Sequence, residues 1–84
     1  MAIDWKDSVG RAVRRERSGQ RLSQERLAEL SGMTRAYISQ IELGAASVSL
    51  EAFIAIAIAL KMTPSDLLKE AEDLAQPRKP KLSK

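Results

Sequence analysis

The chain alternates short apolar-periodic stretches with polar punctuation, and the spacing is helical throughout. Trp5, Val9, Ala12, Val13 and Glu16 recur on related turns and predict a first helix over about 4–18, ended by Gly19 and Gln20. Ser23 suits an N-cap for a second helix, Gln24 to about Leu30, with Leu27 and Ala28 inward. Ser31-Gly32-Met33 reads as a tight turn, with Gly32 supplying a positive φ. Thr34 caps a third helix to about Leu43, anchored by Ile38 and Ile41 and stopped at Gly44. Ser49 caps a fourth, Leu50 to Lys61, and Thr63 a fifth, which starts on Pro64 and carries Leu67, Leu68, Ala71 and Leu74. No segment shows strand alternation, so the expected fold is all-α, with five helices.

The fourth helix is apolar around most of its circumference. Phe53, Ile56, Ala57 and Leu60, with Leu50, form one inward stripe, while Ile54 and Ile58 lie on another side. A helix of this kind must be covered on more than one face. The fifth helix could cover the second face. The preferred expectation is a homodimer interface built from Ile54, Ile58 and Leu68.

Composition narrows the chemistry. Eighty-four residues make one domain, and a chain of this size buries only about 60–65% of its unfolded surface. Its marginal core is of the kind a second copy completes. Twelve alanines and three aromatic residues suit closely packed helices. The chain has no Cys and no His. Disulfides, thiolate or imidazole metal sites, and Cys–His or Ser–His catalysis are therefore excluded. No acid/base pair stands out among the scattered carboxylates, so no enzyme activity and no cofactor are expected. Asp4 and Lys6 interrupt any leader-like apolar run, and Leu50 to Leu60 falls short of the ~20 residues that span a bilayer. A cytoplasmic protein without a membrane partner is expected.

The net charge of +3 hides a segregated pattern. Residues 6–35 carry eight Lys or Arg against four acids, residues 36–76 two against six, and residues 77–84 four and no acid. Basic blocks favour polyanions, although a solvated helix face would look the same. Residues 1–76 are read as the folded domain. Residues 77–84, PRKPKLSK, are read as a basic disordered tail.

The informative stretch is Leu22 to Gly44, LSQERLAELSGMTRAYISQIELG. Two short helices joined by a turn containing Gly have the geometry of a helix-turn-helix. Ala28 is small where the helices cross. Ile38 and Ile41 anchor the second helix from behind, which turns Arg35, Ala36, Ser39 and Gln40 outward. The stretch resembles the Cro/CI-type, or XRE-family, helix-turn-helix. Leu22, Ser23, Gln24, Glu25, Leu27, Ala28, Gly32, Ile38, Ser39, Ile41, Glu42 and Gly44 match its pattern without a gap. Within the family, Arg35 to Ser39 is most similar to restriction–modification controller proteins.

The resemblance implies a lambda-repressor-like domain that binds double-stranded DNA, usually as a homodimer, and regulates transcription by occupying an operator, blocking RNA polymerase or contacting it. It places base contacts on Arg35, Ala36, Ser39 and Gln40, and backbone contacts on Gln24, Thr34, Tyr37, Leu43, Ala46 and Ser47. Chemically, Arg suits guanine, Gln suits adenine and Ala suits a thymine methyl. Tyr37 could donate to a phosphate or pack its ring on the neighbouring helix. The family's internal ion pair falls on Arg17 and Glu42. Two departures stand out: Leu43 replaces a polar or basic residue before the final Gly, and Ala45-Ala46-Ser47 replaces a loop usually containing Arg and Pro. Both remove polar groups that would face phosphate. An antitoxin that grips a toxin, and a protein-interaction module that has lost DNA contacts, stay open as alternatives.

Overall fold

The computed structural model describes residues 4–75. The expected tail, 77–84, lies outside the described residues. Five helices follow one another: α1 Trp5–Gly19, α2 Gln24–Ser31, α3 Arg35–Glu42, α4 Leu50–Ala59 and α5 Pro64–Ala75. No strand occurs among the described residues. None of these helices is long and apolar enough to cross a membrane.

Every helix starts on a side-chain cap. Asp4, Ser23, Thr34, Ser49 and Thr63 each accept the amide three residues on, at 2.9–3.1 Å. Each bond satisfies an amide that the first helical turn would leave orphaned.

The first four helices share one ending. Each closes with a positive-φ residue, followed by a residue whose amide reaches back five positions. Leu22, Met33, Ala45 and Met62 donate to the carbonyls of Arg17, Ala28, Gln40 and Ala57, at 2.8–3.0 Å. The positive-φ positions are Arg21, Gly32, Gly44 and Lys61. This is the Schellman closure, in which the residue after the turn also packs inward. Leu22, Met33 and Met62 all rest against the core. Glycine fills two of the four positions, and Arg21 and Lys61 hold the same backbone at a steric cost.

The core is one cluster fed by all five helices. Ala12 and Val13 of α1, Leu27 and Ala28 of α2, and Ile38 and Ile41 of α3 meet Phe53, Ile56 and Ala57 of α4, Leu60 just beyond it, and Leu67 and Ala71 of α5. Helix α1 packs on α3 and α5, α2 on α3 and α4, and α4 on α5. Gln20 and α4 are tied as well, since the Gln20 side-chain amide donates to the Leu60 carbonyl at 2.6 Å.

Two expectations need correction. Leu50 is 73% exposed rather than inward, because it occupies the first helical position after the Ser49 cap and projects from the end of the bundle. Helix α4 stops at Ala59 rather than Lys61, shortened by its closing turn.

Candidate nucleic-acid interface

Helices α2 and α3 meet across Gly32, Met33 and Thr34. Gly32 has φ 73° and takes the chain out of α2, and Thr34 at once caps α3. The two-helix unit is held from beneath. Leu27, Ile38 and Ile41 are fully buried and Ala28 nearly so, which lets α2 and α3 cross closely. The buried Ile side chains fix which side of α3 faces outward. Arg35, Ala36 and Gln40 are exposed on that side and Ser39 is half-buried. No acid lies in the first turn of α3, and Arg35 has no ion-pair partner among the described residues. The face therefore presents a free guanidinium, a carboxamide, a hydroxyl and a methyl. These are the donors, acceptors and apolar group that base edges in a major groove engage.

Beneath this face lies a polar lock. Arg17 of α1 donates to both carboxylate oxygens of Glu42, at 2.6 and 3.0 Å, and to the Leu22 carbonyl at 2.7 Å. Gln24 donates its side-chain amide to Glu42 at 3.0 Å. Both Glu42 oxygens thus accept from neighbouring side chains although the residue is buried. The hydrogen bond to Glu42 raises the pKa of the Arg17 guanidinium, against an opposing push from burial. The lock ties α1, α2 and the end of α3 together, so the outward face is carried on a fixed frame. It also engages the Gln24 side chain, leaving the amide-rich N-terminus of α2 as the group free to meet an anion there.

The loop after α3 is pinned from the same helix. Tyr37 donates its hydroxyl to the Ser47 carbonyl at 3.2 Å, so its ring spans from α3 to the loop. Thr34 and Ser47 are exposed at the edges of the face, Ala46 is half-buried, and Leu43 stands exposed at its far end. Exposed Arg14, Arg21 and Arg26 add positive charge around α1 and α2, although Arg26 is paired with Glu29 at 3.0 Å.

A second surface lies elsewhere. The start of α1, the loop before α4, α4 itself and α5 enclose an open, largely apolar groove of about 520 Å³, bordered by Trp5, Val9, Leu50, Phe53, Ile54 and Leu68. The structure brings Ile54 and Leu68 together in this groove. Ile58 lies outside it, one turn further along α4 and 64% exposed.

Sequence reasoning missed Gly10, which is buried where α1 meets the end of α3. A lone Gly inside a helical pattern was the available signal, since it marks close packing. The Tyr37–Ser47 and Gln20–Leu60 bonds had no sequence signal, because each joins segments that only the fold brings together.

Residues 13–67 match the model of the helix-turn-helix family. The control protein C.SmaI of Serratia marcescens is 39% identical over 66 residues, which is 79% of either chain. The crystal structure of the restriction-modification controller protein C.AhdI from Aeromonas hydrophila is also 39% identical, with a TM-score of 0.72 over 74% of this chain and 94% of that one. The controller protein C.Esp1396I, crystallised as a tetramer with its natural 35 base-pair operator, shares the fold at 21% identity, with a TM-score of 0.78 over 84% of this chain and 93% of that one. With the matched region spanning the α2–α3 unit and the core that holds it, the chain belongs to the XRE-type helix-turn-helix family of DNA-binding proteins.

Proposed function

We propose that the chain is a sequence-specific transcriptional regulator of the restriction–modification controller type, which binds operator DNA as a homodimer. One observation carries the reading. The outward face of α3 is exposed, free of acids and rich in base-reading groups, while its opposite side is buried and locked to α1 and α2. Arg35, Ala36, Ser39 and Gln40 are the base readers. Thr34, the N-terminus of α2 at Gln24, and the loop at Ala46 and Ser47 meet the backbone. Tyr37 holds that loop in place. Similarity to two controller proteins at 39% identity supports the same assignment.

The dimer reading rests on the second surface. Ile54 and Leu68 share an apolar groove, and exposed Ile58 continues the apolar surface along α4. A two-fold dimer would set its α3 helices about 34 Å apart and read a pseudo-palindrome. The DNA-binding and dimerisation domain is taken as residues 1–76, of which 4–75 are described. The mechanism is occupancy of a promoter site, which needs no cofactor or catalytic group.

Selection of bound duplexes from a random pool tests this reading. The expected result is an enriched sequence with two-fold symmetry, bound with a salt dependence of about −0.9 in log–log slope per phosphate neutralised. No measurable duplex affinity at low salt would overturn it in favour of a protein-interaction module.

A further inference from the structure

Leu43 follows the last residue of α3, yet its backbone remains helical at φ −82°, ψ −5°. Its amide donates to the Ser39 carbonyl at 3.0 Å. Leu43 therefore prolongs the α3 register by one position. It stands three residues beyond Gln40, four beyond Ser39 and seven beyond Ala36, which places it on the outward face. Its side chain is 71% exposed. The chain then turns at Gly44, with φ +74°, close against the Asp7 backbone, and leaves Leu43 uncovered. Leu43 is not part of the apolar groove.

This position cannot hold a phosphate. The Leu43 side chain has no donor, and its amide is used within the helix. The group that an apolar side chain recognises in a major groove is the C5-methyl of thymine. We propose that Leu43 is a specificity-determining residue that reads a thymine methyl at the end of each half-site. The inference rests on the duplex-DNA reading above. Ala36, at the other end of the same face, is the second apolar reader.

The test uses the full chain and the duplex recovered from the random pool. Each thymine is replaced singly by deoxyuridine, which removes only the methyl. Affinities are measured by fluorescence anisotropy for the wild type and for Leu43→Ala, an exposed substitution whose fold is checked by circular dichroism. In the wild type, one deoxyuridine per half-site is expected to weaken binding about fourfold, the value of one buried methyl-sized group. Leu43→Ala is expected to bind the thymine and deoxyuridine duplexes equally at that position and to retain the wild-type response elsewhere. Equal losses for both proteins at every thymine would overturn the assignment, as would a recovered site with no fixed thymine there. Failure to enrich any duplex would overturn the DNA reading and this assignment with it.

Discussion

Gly10 of α1 lies directly against the end of α3: a Cβ there would stand 2.1 Å from the Ile41 carbonyl oxygen and 3.0 Å from that of Glu42. Both neighbours are backbone, so neither can swing aside. Gly10→Ala must push α1 and α3 apart, disturbing the core and the seat of the outward face together. A loss of about 3 kcal/mol is expected, at the upper end for overpacking. Thermal denaturation followed by circular dichroism would show it, and an alanine variant as stable as the wild type would refute the close approach.

The Arg17–Glu42 pair makes a second prediction. Arg17→Ala leaves Glu42 buried with only Gln24 beside it, and removal of one partner from a buried pair costs about 3–5 kcal/mol. Replacing both, as Arg17→Met with Glu42→Leu, should cost clearly less than the sum of the single changes. Urea denaturation of the two single variants and the double variant measures this. Strict additivity would mean that the two residues are not coupled.

Glu70 of α5 gives the fold a pH dependence. One of its oxygens, Oε2, is buried without a hydrogen-bond partner, although Arg15 approaches to 3.5 Å. Burial, then the facing Glu16 carboxylate, raise the carboxyl from 4.5 to about 7, with Asp73 adding to the rise and Arg15 opposing it. Between those values the folded chain holds more proton than the unfolded chain. The Glu70 contribution is therefore complete below pH 4.5 and is lost as pH rises through 7. Glu70→Gln should raise Tm at pH 8 and have little effect near pH 4.5. Parallel Tm–pH curves for the two proteins would contradict this.

Lys61 and Gly32 occupy the same kind of helix-closing turn, with φ 61° and 73°. Lys61→Gly relieves the left-handed strain but frees the unfolded chain, for a net gain of about 0.5 kcal/mol. Gly32→Ala should instead lose about 1 kcal/mol. Chemical denaturation of both variants checks the opposite signs, and a stabilising Gly32→Ala would be inconsistent with the turn.

The groove predicts the assembly state. Leu68→Glu places a charge among Trp5, Ile54 and Phe53 and should yield monomers in sedimentation, with helical content unchanged. Ile58→Glu tests the continuation along α4 in the same way. Dimers that persist in both variants would move the proposed interface elsewhere.

Much of the architecture was legible along the chain because its causes are local. A cap needs a short oxygen-bearing side chain three residues before the amide it accepts, and Ser23, Thr34, Ser49 and Thr63 announced themselves in that way. The stripe of Leu27, Ile38 and Ile41 has helical spacing, so the buried sides of α2 and α3, and hence the outward residues of α3, followed from the pattern. Helix ends were less legible. Gly32 and Gly44 mark two closing turns, but Arg21 and Lys61 adopt the same backbone without advertising it.

What remained belonged to the tertiary structure, because it depends on distance between segments remote in the chain. Helical periodicity assigns Leu50 to a stripe, but only the packed bundle shows that it borders the groove and stays exposed at the start of α4. It likewise gives Ile54 and Ile58 one side of α4, whereas α1 and α5 decide that Ile54 borders a groove and Ile58 stands outside it. The approach of Gly10 to Ile41, the engagement of Gln24 by Glu42, and the reach of Tyr37 to Ser47 arise in the same way. Local spacing determined which side of each helix is buried. Packing of the helices against one another decided which polar groups are already engaged and which are left free, since a hydrogen bond or a steric limit exists only once both partners are in place.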